Sequence, residues 1–193
     1  QKIVYSVNEN GAESSVSSFQ FDSSSGKLTE LNQQKAQGAD PCYIINDDKN
    51  VIVANYSGGN IAVFGKNTDG SLAEAKQIVQ HKGKGIHPRQ ESAHVHMVYF
   101  SPDKIYVLSN DLGTDTIYLY EYHPDAVAEV LQLKSAISVT AGSGPRHLTF
   151  SKDGKFVYVL QELNGAISVF DFDNVKFTKI QETTILSKDF KGN

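Results

Sequence analysis

One pattern recurs about every fifty residues along this chain, and it leaves few folds open. Residues 3–9, 51–57, 105–111 and 156–162 align with one another, their starts spaced by 48, 54 and 51 residues. Each is rich in β-branched and aromatic side chains, the composition of a strand. A second strand follows each one, at 16–21, 61–64, 116–120 and 167–170. Turns such as Ser57-Gly58-Gly59-Asn60 and Leu163-Asn164-Gly165 separate the pairs, as in hairpins. A preceding strand is expected at 43–45, 97–100 and 148–150, and a more polar fourth strand at 28–33, 75–79, 131–139 and 176–183. Helical periodicity is almost absent, with about two turns possible at 125–133.

Four antiparallel strands per repeat make the blade of a propeller, because one small sheet cannot bury both faces until blades stack around an axis. The expected class is all-β, a β-propeller of just under four blades, divided at about 1–40, 41–93, 94–144 and 145–193 within one partial domain. The first repeat lacks its innermost strand, and the last residues begin a further connection. A larger ring is therefore expected rather than a closed ring of four. The chain opens on Gln1 and its single methionine is Met97, so it reads as part of a longer or processed polypeptide.

Composition narrows the function. Of 193 residues 39% are hydrophobic and 21% charged, as in an ordinary globular domain. A formal charge of −4 argues against nucleic acid as a partner. No apolar run approaches the roughly 20 residues that cross a bilayer, so no membrane partner is expected. No leader is visible, and the cytoplasm is the favoured compartment, with export left open by the absent N-terminus. The lone Cys42 can form no internal disulfide and reads as an inert buried thiol.

The polar chemistry gathers in two stretches. Both arginines, Arg89 and Arg146, stand near histidines, against 16 lysines elsewhere. One stretch runs from His81 through His87, Arg89, Glu91 and His94 to His96; the other is Gly144-Pro145-Arg146-His147. Counting back four residues from Ile45, Phe100 and Phe150 gives Pro41, His96 and Arg146, one repeat position at the entry to the innermost strand. Glu9, Ser57, Asp111 and Glu162 share a second position at the end of the next strand. Antiparallel neighbours bring both positions to one rim. His96, Arg146, Asp111 and Glu162 are therefore expected at one mouth of the channel. Against this, Asp111 and Glu9 could simply satisfy turn amides, and Glu162 could be a structural partner of Arg146. His94 and His96 face one side of a strand, but Glu91, His87 and Asp111 have no characteristic spacing as further ligands, so no metal and no cofactor is expected. His123 lies outside both stretches and reads as surface. Gly83-Lys84-Gly85 is weak as a phosphate loop because no helix follows it.

At these stretches the chain resembles the lactonase family of seven-bladed propellers, which includes 6-phosphogluconolactonases and muconate lactonising enzymes. Arg89-Gln90-Glu91-Ser92-Ala93-His94-Val95-His96 and Gly144-Pro145-Arg146-His147 carry the resemblance most specifically. Asp40-Pro41-Cys42-Tyr43, Val53-Ala54-Asn55-Tyr56-Ser57-Gly58-Gly59-Asn60, Asn110-Asp111-Leu112-Gly113, Gln161-Glu162-Leu163-Asn164 and Asp189-Phe190-Lys191-Gly192-Asn193 extend it. The resemblance implies hydrolysis of a sugar lactone, in particular 6-phosphogluconolactone, within sugar metabolism by the pentose phosphate route. A non-catalytic ligand-binding propeller is the alternative. In the lactonising relatives a histidine, an arginine and a glutamate from successive blades are the proposed acting groups; by motif position they match His96, Arg146 and Glu162. A further arginine of that set belongs to a later blade, outside this sequence. Lactone opening needs a base for the attacking water and a donor for the oxyanion. His96 suits the base and Arg146 the donor, with Glu162 orienting. Arg89 and Lys84 are expected to bind a substrate phosphate, and His94 and Asp111 to contact substrate.

Overall fold

In a computed structural model, residues 2–173 and 175–191 are described. Gln1, Gly192 and Asn193, at the two ends of the repeats, lie outside the described residues. The first sheet holds β1 (Lys2–Asn8), β2 (Ser15–Phe21) and β3 (Leu28–Lys35). The second holds β4 (Pro41–Asn46), β5 (Asn50–Asn55), β6 (Asn60–Lys66) and β7 (Leu72–Gln80). The third holds β8 (Val95–Phe100), β9 (Tyr106–Asp111), β10 (Thr116–Tyr122) and β11 (Leu131–Ser138). The fourth holds β12 (Pro145–Phe150), β13 (Phe156–Gln161), β14 (Ala166–Asp173) and β15 (Lys176–Thr184). Within each sheet the order follows the chain, and every pairing is antiparallel. This is the expected partial propeller. The two helical turns that the sequence allowed at 125–133 are not formed: Leu131 begins β11, and the only helices among the described residues are 3₁₀ turns at Gly11–Glu13 and Leu112–Thr114.

Apolar residues on both faces of the middle strands explain the stacking. In β5, Val51 and Val53 face the first sheet, in a core with Val16 and Ala36. Their neighbours Ile52 and Ala54 face the third sheet, against Val95, Val98 and Val107. In β9, Val107 thus looks back while Leu108 looks forward to Leu148, Val157 and Val159 of the fourth sheet. Alternation with period two divides one apolar run between two cores. Each such side chain contributes about 1.5–3 kcal/mol when fully buried, so the apolar strands need neighbours on both sides.

Amides clamp the outer edges. Asn32 Nδ2 donates to Leu72 O (2.8 Å), and Leu72 N donates to Asn32 Oδ1 (2.9 Å). Gln77 does the same to Leu131 O (2.9 Å) and N (2.8 Å) in the next sheet. Each amide engages the first residue of the neighbouring outer strand and fixes the start of that strand against the preceding blade.

Candidate functional site

The innermost strands share one defect that builds the site. Pro41 pairs with Asn55, Val95 with Asp111 and Pro145 with Gln161. In each case the ladder then skips one residue: Cys42, His96 and Arg146 are the bulged positions. A bulge frees its residue from strand pairing and re-aims it. All three line one cavity of about 390 Å³. The sequence count had placed Pro41 in this set. The ladder shows instead that Asn46 opposite Val51 is the counterpart of Phe100 opposite Val107, so the count lands on Cys42.

The same ladder corrects the second position. Asn8, Asn55, Asp111 and Gln161 are equivalent, and Glu9, Tyr56, Leu112 and Glu162 come next. Glu9, Tyr56 and Glu162 line the cavity, with Ser57 and Asp40 beside them. Asp111 is one residue early and points elsewhere, as a one-residue slip requires. It is fully buried. Its Oδ1 accepts from the backbone N–H of His94 (2.8 Å), Gly113 (3.0 Å) and Thr114 (3.2 Å). Its Oδ2 lies 3.0 Å from His81 Nδ1, whose other nitrogen is 2.7 Å from the Tyr120 hydroxyl. Asp111 therefore ties the rim together and does not line the cavity. Gly113 is required there, since a Cβ would stand 1.9 Å from Ser92 O.

His96, Arg146 and Glu162 do come together. Arg146 Nε donates to His96 Nε2 (3.1 Å) and forms an ion pair with Glu162, 2.8 Å from its Oε2. With Nε2 accepting, the His96 proton sits on Nδ1, 3.9 Å from Cys42 Sγ. Burial pushes the His96 imidazole down to about 4, and the adjacent Arg146 charge adds to this. The ring is therefore neutral at pH 7, and its 3.9 Å approach to Glu162 is not an ion pair. No hydrogen bond engages the two Nη groups of Arg146 among the described residues. Cys42 is half-buried, not fully buried as expected, and lines the cavity; burial pushes its thiol up to about 12, so it stays protonated.

Arg89 reaches the mouth from the long connection between β7 and β8. Its Nη1 pairs with Glu162 Oε1 at 2.6 Å, and its Nη2 donates to the Tyr56 hydroxyl at 3.3 Å. Both oxygens of Glu162 are thus held by arginines. Lys84, expected beside Arg89, is exposed and does not line the cavity. His94 is buried behind Tyr56, stacked on its ring at 4.5 Å, and does not line the cavity either. Tyr56, Cys42 and Asp40 were not singled out as site residues; the bulge register would have found the first two.

The neutrality of His96 has a measurable consequence. Its folded pKa lies below the 6.5 of a free imidazole, so the unfolded chain takes up this proton first. The stability it contributes is complete above pH 6.5 and is lost as pH falls toward 4. Any activity that needs the free imidazole should show its acid limb near pH 4. A pH profile of kcat/KM from 3.5 to 8 checks this. A limb near 6.5 that vanishes in His96→Gln would show an unshifted imidazole.

The sequence model of the family described as Lactonase, 7-bladed beta-propeller matches residues 1–193. The chain is 35% identical over 195 residues to a 6-phosphogluconolactonase of Bacillus subtilis (strain 168), covering 99% of this chain and 55% of that protein. The structure of a periplasmic gluconolactonase of Pseudomonas aeruginosa superposes with a TM-score of 0.92 at 35% identity, over 100% of this chain and 57% of that one. A Bacteroides fragilis NCTC 9343 crystal structure gives a TM-score of 0.92 at 41% identity, over 97% of this chain and 55% of that one. The chain thus spans about half the length of these relatives.

Proposed function

The chain belongs to the lactonase family of seven-bladed β-propellers, and from that premise we propose that the complete protein hydrolyses a sugar lactone, with 6-phosphogluconolactone as the first substrate to test. The observation that carries this reading is the shared Arg146 Nε, which joins a neutral imidazole and a carboxylate in one cavity. Water enters beside His96 Nε2, displacing the Arg146 Nε contact. As the water oxygen attacks the lactone carbonyl carbon, Nε2 takes its proton. The Nη groups of Arg146 donate to the developing oxyanion. Collapse of the tetrahedral species breaks the bond to the ring oxygen, which leaves as an alkoxide and recovers the proton from His96. Glu162 holds Arg146 and Arg89 in place, and Arg89 is the cation nearest to hand for a substrate phosphate.

The test is turnover by the full-length protein: acid release from δ-gluconolactones with and without the phosphate. A second reading, a propeller that binds without catalysis, is favoured by one observation. His96 Nε2 and both Glu162 oxygens are engaged by arginines, so neither group assigned to the chemistry is a free base in this state. Tight binding of the open acid with no acid release would support it and sink the lactonase reading.

Turnover is expected to survive a chelator. Among the described residues no group of three His, Cys, Asp or Glu side chains is placed to share an ion, whereas a hydrolytic zinc site takes three protein ligands. Activity lost in EDTA and restored by one divalent metal would overturn this expectation.

A further inference from the structure

We propose that Tyr56 contacts the ligand directly, donating its hydroxyl proton to an uncharged oxygen of a polyhydroxylated acid or its lactone, and that His94 is the residue that positions it. This rests on the reading of the 390 Å³ cavity as the ligand site.

The ladder register places Tyr56 at the repeat position held by Glu9 and Glu162, and all three line the cavity. Its hydroxyl accepts from Arg89 Nη2 at 3.3 Å. Among the described residues nothing accepts the Tyr56 hydroxyl proton, so the phenol keeps a donor for the cavity. Glu9, Asp40 and Glu162 when ionised can only accept, and the arginines are cations drawn to anionic oxygens. Tyr56 adds a neutral donor, the kind of group that suits a sugar hydroxyl or ring oxygen.

The ring is held on two sides. It stacks on His94 at 4.5 Å and 13°, and meets the edge of His96 at 5.5 Å and 79°. His94 is itself fixed: its nitrogens lie 3.2 Å from Tyr56 O and 3.2 Å from Glu91 Oε1, and its backbone N–H donates to Asp111. Asp111 is anchored by His81. A buried polar chain thus runs from His81 through Asp111 and His94 to the Tyr56 ring that lines the cavity, and it holds that ring from behind.

The experiment uses the full-length protein and D-gluconate as the probe, with affinity read by calorimetry, turnover of D-glucono-δ-lactone measured in parallel, and thermal melts on every variant. Tyr56→Phe is expected to weaken gluconate binding about five- to tenfold, the worth of one hydrogen bond. His94→Ala should match that loss. His94→Phe keeps a ring face against Tyr56 and should restore affinity to within about twofold of wild type, a rescue that general destabilisation would not produce. Wild-type affinity in Tyr56→Phe, with the wild type active, overturns this proposal and leaves the lactonase reading standing. Equal impairment in His94→Ala and His94→Phe, both folded, removes the positioning role. A wild type that neither binds gluconate nor opens the lactone removes both readings together.

Discussion

Arg146→Lys is expected to lower kcat/KM by roughly 10²–10³ even though the positive charge remains. The reason is the shape of the donor. The Arg146 Nε atom sits between two neighbours, donating to His96 Nε2 at 3.1 Å and pairing with Glu162 Oε2 at 2.8 Å, while its two Nη groups stay available for a carbonyl oxygen. A planar guanidinium does both in one rigid plane; an ammonium on a flexible stem is a point charge that settles on Glu162. The loss should fall on kcat, because the oxyanion exists only after attack. Fold stability should change little, since a part-exposed ion pair contributes at most about 1 kcal/mol. His123→Ala, outside both motif stretches, serves as the control and should behave as wild type. Turnover close to wild type in Arg146→Lys would take the fork out of the mechanism and leave Arg146 as a partner of Glu162.

The largest effect on stability is expected at Asp111. Asp111→Ala should cost about 3 kcal/mol or more, because several buried donors lose their acceptor at about 1–3 kcal/mol each. Three backbone N–H groups and His81 lose their acceptor together, in a place water does not reach. Chemical denaturation of the full-length variant measures it. A variant of wild-type stability whose KM alone has risen would show instead that Asp111 is a substrate contact.

The contrast between these two residues shows what the sequence can and cannot disclose. Strand positions were legible because apolar alternation and Gly/Asn turns mark them, and the fifty-residue period did the rest. The register was not. Ile105 looks like the first residue of a strand, yet it is exposed and precedes β9. Aligning on it moved Asp111 one place along the rim relative to Glu162. One residue separates a buried clamp from a cavity wall, and hydrophobic pattern carries no such resolution. The bulge itself was missed for the same reason, and with it Cys42 as the counterpart of His96 and Arg146, since a bulge has no compositional mark except the prolines that begin β4 and β12. The segment 125–133, where the sequence allowed two helical turns, stays non-helical for another reason. Its polar half is tied to the second sheet, with Lys49 Nζ 2.7 Å from Asp125 and Asn50 Nδ2 donating to Pro124 O (2.9 Å). Leu131 is taken into β11 by the Gln77 amide. These are long-range contacts, outside any local window. His96 and Arg146 emerged for the opposite reason: rare residue types at a repeated place in the chain stand out against lysine-rich surroundings.

The bulges also separate what the protein can change from what it must keep. Cys42, His96 and Arg146 contribute no rung to the ladders that hold the inner strands to their neighbours, while Pro41, Val95 and Pro145 beside them do. Thiol, imidazole and guanidinium occupy the same geometric slot in three successive blades. Each slot behaves as a socket: its side chain stands outside the ladder, so the chemistry presented to the cavity varies from blade to blade while the pairing on either side stays the same.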